Sequence, residues 1–148
     1  MQALTELDRL LAAMPPVAAM AIRCESFDGE ELRLAAPLAA NVNDKDCAFG
    51  GSLASVMTLA AWGWLMLRTA QAGQPVEVYV ADSQIRYLAP LYGDLRAVAR
   101  LAEGEDWDAT LRCLADRGRA RVAMQAHVLG ENGAPVATLA ARFALKRA

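Results

Sequence analysis

Two glycines and a serine, Gly50-Gly51-Ser52, sit near the start of the longest uncharged stretch of the chain, which runs from Cys47 to Leu67. A loop carrying Asn43, Asp44 and Asp46 leads into it, and Phe49 stands directly before the glycines. If the stretch is a helix, its first turn offers backbone N–H groups with no intrahelical acceptor, together with a partial positive charge. Such a place suits an oxygen on which negative charge develops, as on a carbonyl under attack. Glycine lets a substrate approach that backbone closely, because no Cβ intervenes. The same two glycines equally serve close packing of the helix against a strand. Ser52 can cap the turn or donate a hydrogen bond. Asp44, beside Asn43, can act as a base or orient water; an ordinary loop aspartate is the other reading. Ser55 and Thr58 follow about one turn apart on the helix, where a hydroxyl binds a water or substrate, or else satisfies the i−4 carbonyl.

Other chemistries find little support. A Ser-His-Asp triad needs a histidine, and the only one, His127, falls on the polar side of a late strand with no GxSxG motif in the chain. Cys24, Cys47 and Cys113 have no His or Cys at ligand spacing, so neither a metal nor a cofactor is expected. Their odd number and lack of a CxxC pair argue against a disulfide framework and for a reducing, cytoplasmic compartment. Cys47 as a nucleophile is the minor alternative to a free loop thiol. Asp82 interrupts a run of valines, a costly position for a carboxylate unless it is paired. Arg86 or Lys45 is the expected partner, and a site role for Asp82 with Ser83 is the alternative.

The elements that must position these residues are legible as periodicities. Met1 to Met14 reads as an amphipathic helix with Leu4, Leu7, Leu10 and Leu11 on one side, closed by Pro15-Pro16. Val17 to Phe27 and Glu31 to Leu38 read as strands joined at the Asp28-Gly29 hairpin signal. The uncharged stretch is long enough to span a bilayer, but the alternating strands after it need an apolar element to cover. A core helix, apolar on all sides, is therefore expected rather than membrane insertion. Gly73 is its expected left-handed cap. From Pro75 the period is two, with a phase change at Asp82-Ser83 that predicts a bulge. Leu95 to Leu101 is the next strand. Trp107, Leu111 and Leu114 have helical spacing between an Asp106 cap and a Gly118 stop. Arg119 to Leu129 and Val136 to Lys146 close the chain as strands. Fifteen basic and seventeen acidic residues, with no basic run, leave no footprint for nucleic acid. The expected fold class is α+β, one domain over residues 1–148, an antiparallel sheet wrapped around one long central helix.

That order of elements resembles the hot-dog fold. The segment Asn41-Val-Asn-Asp-Lys-Asp-Cys-Ala-Phe-Gly-Gly-Ser52 is similar to the signature of a thioesterase domain of the YiiD C-terminal type, as is Ala81-Asp-Ser-Gln-Ile-Arg-Tyr-Leu-Ala-Pro90 followed by Gly93-Asp94. The likeness covers nearly the whole chain. It implies hydrolysis of acyl-CoA or acyl-carrier-protein (acyl-ACP) thioesters, with Asn43, Asp44, Gly50, Gly51 and Ser52 as the catalytic set. Phe49, Ser55, Thr58, Asp82, Ser83 and Arg86 are the implied substrate contacts. It further implies a homodimer or dimer of dimers with the site at the subunit interface. A second resemblance marks a departure. Phenylacetate-type hot-dog thioesterases place an Asn six residues before a His-Gly-Gly and a carboxylate nine residues after that His. Here Asn43 and the glycines match, but Phe49 and Thr58 stand at the His and carboxylate positions. A non-catalytic acyl-CoA-binding or regulatory protein is the alternative this leaves open.

Overall fold

Helix α1, Gln2–Ala13, turns Leu7 and Leu11 into the core. The structure is a computed structural model and describes residues 2–148; Met1, the first residue of the expected helix, lies outside the described residues. Helix α1 ends just ahead of Pro15 and Pro16, as expected from sequence, but the two prolines also start a second short helix, α2, Pro15–Met20, where the sequence predicts a strand from Val17. Proline is at home in a first turn, because its missing N–H would have found no intrahelical acceptor there. Ala21, with φ of 55°, ends α2. The strand expected from Val17 is thereby shortened to β1, Arg23–Phe27, which pairs with β2, Leu32–Ala36.

Helix α3 runs from Gly50 to Gln71 and carries no charge before Arg68. It connects β2 to β3, Val76–Tyr87, and these strands lie far apart in the sheet. After β3 come β4 (Leu95–Leu101), α4 (Trp107–Arg117), β5 (Arg119–Leu129) and β6 (Pro135–Arg147). The six strands form one antiparallel sheet in the order β1-β2-β4-β5-β6-β3. The link through α3 therefore crosses the whole concave face, and the sheet curls around it. Val122, Met124, Ala126 and Val128 of β5, with Leu139, Ala141, Phe143 and Leu145 of β6, supply the centre of that face. This is the hot-dog arrangement.

Packing explains why the stretch that is long enough to cross a membrane lies in the core instead. Val56, Met57, Ala60, Ala61 and Leu65 are fully enclosed by the sheet and α1. Each large apolar side chain so buried contributes roughly 1.5–3 kcal/mol. Gly63 is where α3 comes closest to its neighbours: a Cβ there would lie 2.8 Å from Leu32 Cδ2 and 3.0 Å from Leu7 Cδ2. The helix ends in a Schellman motif. Gly73, at φ of 70°, donates to Ala70 O and Gln74 donates to Thr69 O, so two otherwise orphaned carbonyls are satisfied. α4 is bounded as its sequence predicts, by the Asp106 carboxylate accepting from Ala109 N and by Gly118 at φ of 72°. The bulge in β3 falls between Val80 and Asp82, which leaves Ala81 without a partner on β6.

The first charge on α3 has a structural use. The Arg68 guanidinium lies 5.0 Å from the Trp64 ring centre and 5.5 Å from that of Trp107, and it donates to Gly29 O at 2.6 Å. The two indoles meet edge to face at 5.0 Å, and Trp64 Nε1 donates to Glu30 O. One cation thus ties the end of the core helix to the β1–β2 turn and to α4. Arg68→Met is expected to lose about 1–2 kcal/mol of unfolding free energy in urea titrations. Arg68→Lys, which keeps the charge, should lose less. Equal losses would show that the planar stacking and the reach to Gly29 dominate over the charge.

Candidate active site

The loop that delivers the chain to α3 is held by asparagines. Asn41 is buried, and its Nδ2 donates to Met20 O at 2.9 Å and to Pro37 O at 2.8 Å, while its Oδ1 has no partner. Its carbonyl accepts from Phe49 N at 2.7 Å, which fixes the residue before the helix. Asn43 closes the loop on itself. Its Oδ1 accepts from Lys45 N and Cys47 N, its Nδ2 donates to Cys47 Sγ, and its backbone N–H donates to Cys47 O. These bonds make Asn43 the frame of the loop, an Asx-type turn in which Asp46 takes a φ of 64°. Ala48 N donates to Leu91 O and ties the loop to the segment before β4.

At the helix start, Phe49 is the N-cap and makes no side-chain cap bond. Its carbonyl accepts from Ser52 N and Leu53 N. The N–H groups of Gly50 and Gly51 have no acceptor among the described residues, so two donors point out along the axis with the positive end of the helix dipole behind them. Two rings flank them. The Phe49 ring, on a side chain 55% exposed, folds back over Gly51 and fills the space a Cβ would occupy there. The Tyr87 ring covers Gly50, and its hydroxyl donates to Gly50 O at 3.2 Å. The sequence does not single out Tyr87. It sits at the end of β3, and only the pairing of β3 with β6 turns it toward the helix; the motif Ala81–Pro90 is the one signal that contains it.

The remaining expected residues fall in three places. Ser52 is buried without a hydrogen bond from its hydroxyl, so it does not cap the helix. Ser55 Oγ donates to Gly51 O and Thr58 Oγ1 to Ala54 O, both at 2.8 Å, which is the i−4 pattern. Both lie on a half-covered stripe of α3 with Ala54, Leu59, Trp62 and Met66. Asp44 is solvent-exposed and bound to Lys45 at 2.9 Å, and that hydrogen bond holds its carboxyl below the usual range. On β3, Ser83 shares the helix-facing side with Tyr87, whereas Asp82 and Arg86 face away. The partner of Asp82 is neither Arg86 nor Lys45 but Arg142, directly across on β6, whose guanidinium bonds both carboxylate oxygens and lowers the Asp82 pKa. His127 is half-buried on the sheet face away from α3, and desolvation lowers its pKa. Among the described residues, no group of three or more His, Cys, Asp or Glu is gathered for a metal.

Known proteins share this frame. Residues 4–147 match the model of a family described as "Putative thioesterase (yiiD_Cterm)". Among solved structures, a protein of unknown function from Chlorobaculum tepidum superposes with a TM-score of 0.92 at 28% identity, covering 99% of this chain and 96% of that one. A "putative thioesterase" from Shewanella oneidensis superposes at 0.87 with 26% identity, covering 99% of each chain. A Pseudomonas aeruginosa protein described as "probable thioesterase" reaches 0.80 at 24% identity, covering 97% of this chain and 95% of its own.

The stacking of Phe49 on Gly51 makes a test of the helix start. Gly51→Ala must push the ring aside, yet the ring is solvent-exposed and free to move. The variant is therefore expected to unfold within about 1 kcal/mol of the parent, helped by the better helix propensity of alanine. Gly51→Ala combined with Phe49→Ala should be no less stable than Phe49→Ala alone. A loss of several kcal/mol in thermal unfolding of Gly51→Ala would mean that the ring is locked.

Proposed function

Because the chain belongs to this YiiD C-terminal thioesterase family, we propose that it hydrolyses acyl thioesters of CoA or ACP at the N-terminus of α3. The observation that carries the reading is the pair of unpartnered donors, Gly50 N and Gly51 N, at the positive end of a long helix. A thioester carbonyl placed over them gains most as its oxygen becomes an oxyanion, which is differential stabilisation of the transition state. Tyr87 fixes the Gly50 peptide plane through its carbonyl, and Ser52 lies at the next position. The acyl chain follows the stripe of Ser55, Thr58, Leu59 and Trp62. Ser83 continues the same side from β3, and Arg86 meets the polar end of the substrate. Asn43 shapes the loop, and Asp44 orients the attacking water. A carboxylate already paired with Lys45 is a weak proton acceptor, so its part is orientation and charge more than deprotonation.

The reading needs a second copy of the chain. β3 is an edge strand of twelve residues, uncovered along most of its length, beside the half-open stripe of α3. Exposed Val80, Tyr87 and Leu88 add apolar area to that edge. A long, open, apolar edge invites pairing, and two copies of β3 joined about a two-fold axis form a homodimer that completes the site. The second reading, acyl binding without turnover, is favoured by the ion-paired state of Asp44 and by the Phe49 ring over Gly51.

The purified chain, incubated with acyl-CoAs of short, medium and long chain and with acyl-ACP, is expected to release free thiol from at least one of them. Asp44→Asn should lower kcat by about 10²-fold with KM little changed. Saturable binding with no thiol released from any substrate would replace hydrolysis by the binding reading. Sedimentation should give a dimer, and Val80→Lys, a charge on the β3 edge, should shift it to monomer with loss of turnover. A monomeric but fully active parent chain would defeat the shared-site reading.

A further inference from the structure

A second concave feature lies at the far end of β3 from Gly50. A cavity of about 940 Å³ opens where the end of α4 meets the start of β5 and the end of β6. Arg117, Arg119, Arg121 and Lys146 line it together with Tyr79 and Cys113, and no Asp or Glu is in its wall. None of these four cations makes an ion pair among the described residues. The nearby acids form no ion pair with them, although Asp82 also attracts Arg121. Asp82 is engaged by Arg142, and Glu77, across from Lys146 on β3, and Asp116 are solvent-exposed. A chain of net charge −2 thus gathers four unpaired cations around one hollow.

Like charges held together repel, and an anion between them relieves the repulsion. Guanidinium forks match phosphate oxygens in pairs. The Tyr79 ring, 55% exposed, offers an aromatic face beside Ala144 and Leu145, as a purine requires. A recess of this size suits a small molecule better than a protein surface. We propose that this cavity binds the phosphorylated nucleotide end of CoA, through Arg117, Arg119, Arg121 and Lys146 for phosphate and Tyr79 for the base. The assignment rests on the thioesterase reading above and selects CoA over ACP thioesters, since an ACP carries the phosphopantetheine arm without the nucleotide. Tyr79 and Tyr87 are separated by eight residues of β3, roughly 26 Å of strand. When two β3 edges pair antiparallel, the Tyr79 end of one copy meets the Tyr87 end of the other. The arm then passes round the end of the shared sheet, from the cavity of one subunit to the Gly50 turn of its partner.

The test is calorimetric titration of CoA, dephospho-CoA and pantetheine into the parent chain and into the Arg119→Ala, Arg121→Ala double variant. Both arginines are exposed, so unchanged thermal unfolding will certify the variant's fold. CoA is expected to bind the parent, and to bind the variant at least about tenfold more weakly, with pantetheine indifferent to the change. Cys113 gives an independent readout, because CoA should slow its alkylation; Cys47 is buried and the Cys24 thiol is pushed up to about 12, mainly by burial and then by Asp8. Equal CoA affinity for parent and variant, or alkylation of Cys113 unaffected by CoA, overturns the proposal. So does an arginine-dependent affinity for acyl-ACP with no preference for CoA over pantetheine. An N-acetylcysteamine thioester, which lacks the nucleotide, separates the two readings. If it is hydrolysed while the double variant binds CoA normally, the cavity assignment falls and the thioesterase reading stands. If CoA protects Cys113 but no thioester is hydrolysed, the cavity assignment stands and the thioesterase reading falls.

Discussion

The whole structure depends on the need to enclose an apolar helix. Between Gly50 and Leu67 α3 has no charged residue to present to water, so every side of it must meet protein. A flat sheet covers one side of a helix only. Here the chain crosses from β2 to the opposite edge strand through α3 itself, and the strands between them curve round it. The small residues on the concave face, Ala97, Ala99, Ala126 and Ala141, are what allow the helix to lie so close. Gly63, Leu7 and Leu32 do the same on the side of α1 and β2. One side is left incompletely covered, the stripe from Ala54 to Met66 beside β3. The open stripe and the uncovered edge strand are two views of one deficit, and a second copy of the chain would remove both.

The same constraint sets the chemistry of the helix start. A core helix must begin at the rim of the sheet, where its first N–H groups cannot be satisfied from within. The chain satisfies two of them by turning Phe49 O back over Ser52 and Leu53. It leaves those of Gly50 and Gly51 free and places rings, not acceptors, beside them. Asn41 and Asn43 spend their hydrogen bonds on fixing the loop, so the position of the free donors is rigid even though the segment is irregular. Rigid, unspent donors are what electrostatic stabilisation of an oxyanion requires, because no reorganisation is needed when charge develops.

The features legible in the sequence are local ones. The long helix, its Gly73 end, the Asp106 and Gly118 boundaries of α4, and the alternation of β5 and β6 each depend on residues within a few positions of one another. Pro15-Pro16 marks the end of α1 but hides the start of α2, because a proline that ends one helix and a proline that begins the next look alike in sequence. The partners of the candidate site residues are hidden for another reason. Asp82 meets Arg142 and Tyr87 meets Gly50 across 60 and 37 positions, through strand register and helix placement. Alternation tells which residues share a face of one strand. It does not tell which residue of another strand stands opposite. The basic cavity is invisible on the same ground, since Arg117, Arg119 and Arg121 read as ordinary surface charges until Lys146 and Tyr79 are brought beside them by β6 and β3.

Phe49 and Thr58 show how far a shared frame can differ in chemistry. The backbone turn that presents Gly50 and Gly51 does not depend on the side chain before them, because Phe49 is held by its N–H on Asn41 O and by its carbonyl on the helix. A histidine at that position would fit the same bonds. Nor does α3 depend on Thr58, whose hydroxyl is satisfied by Ala54 O within its own helix. Neither backbone bond at Phe49 requires its side chain, and the Thr58 hydroxyl bonds only within α3. On the proposed thioesterase reading, the electrostatic half of the site is built into the core helix, and the proton-transfer half is carried by side chains. On that reading, substituting those side chains would change how water is activated and leave the backbone donors of Gly50 and Gly51 in place.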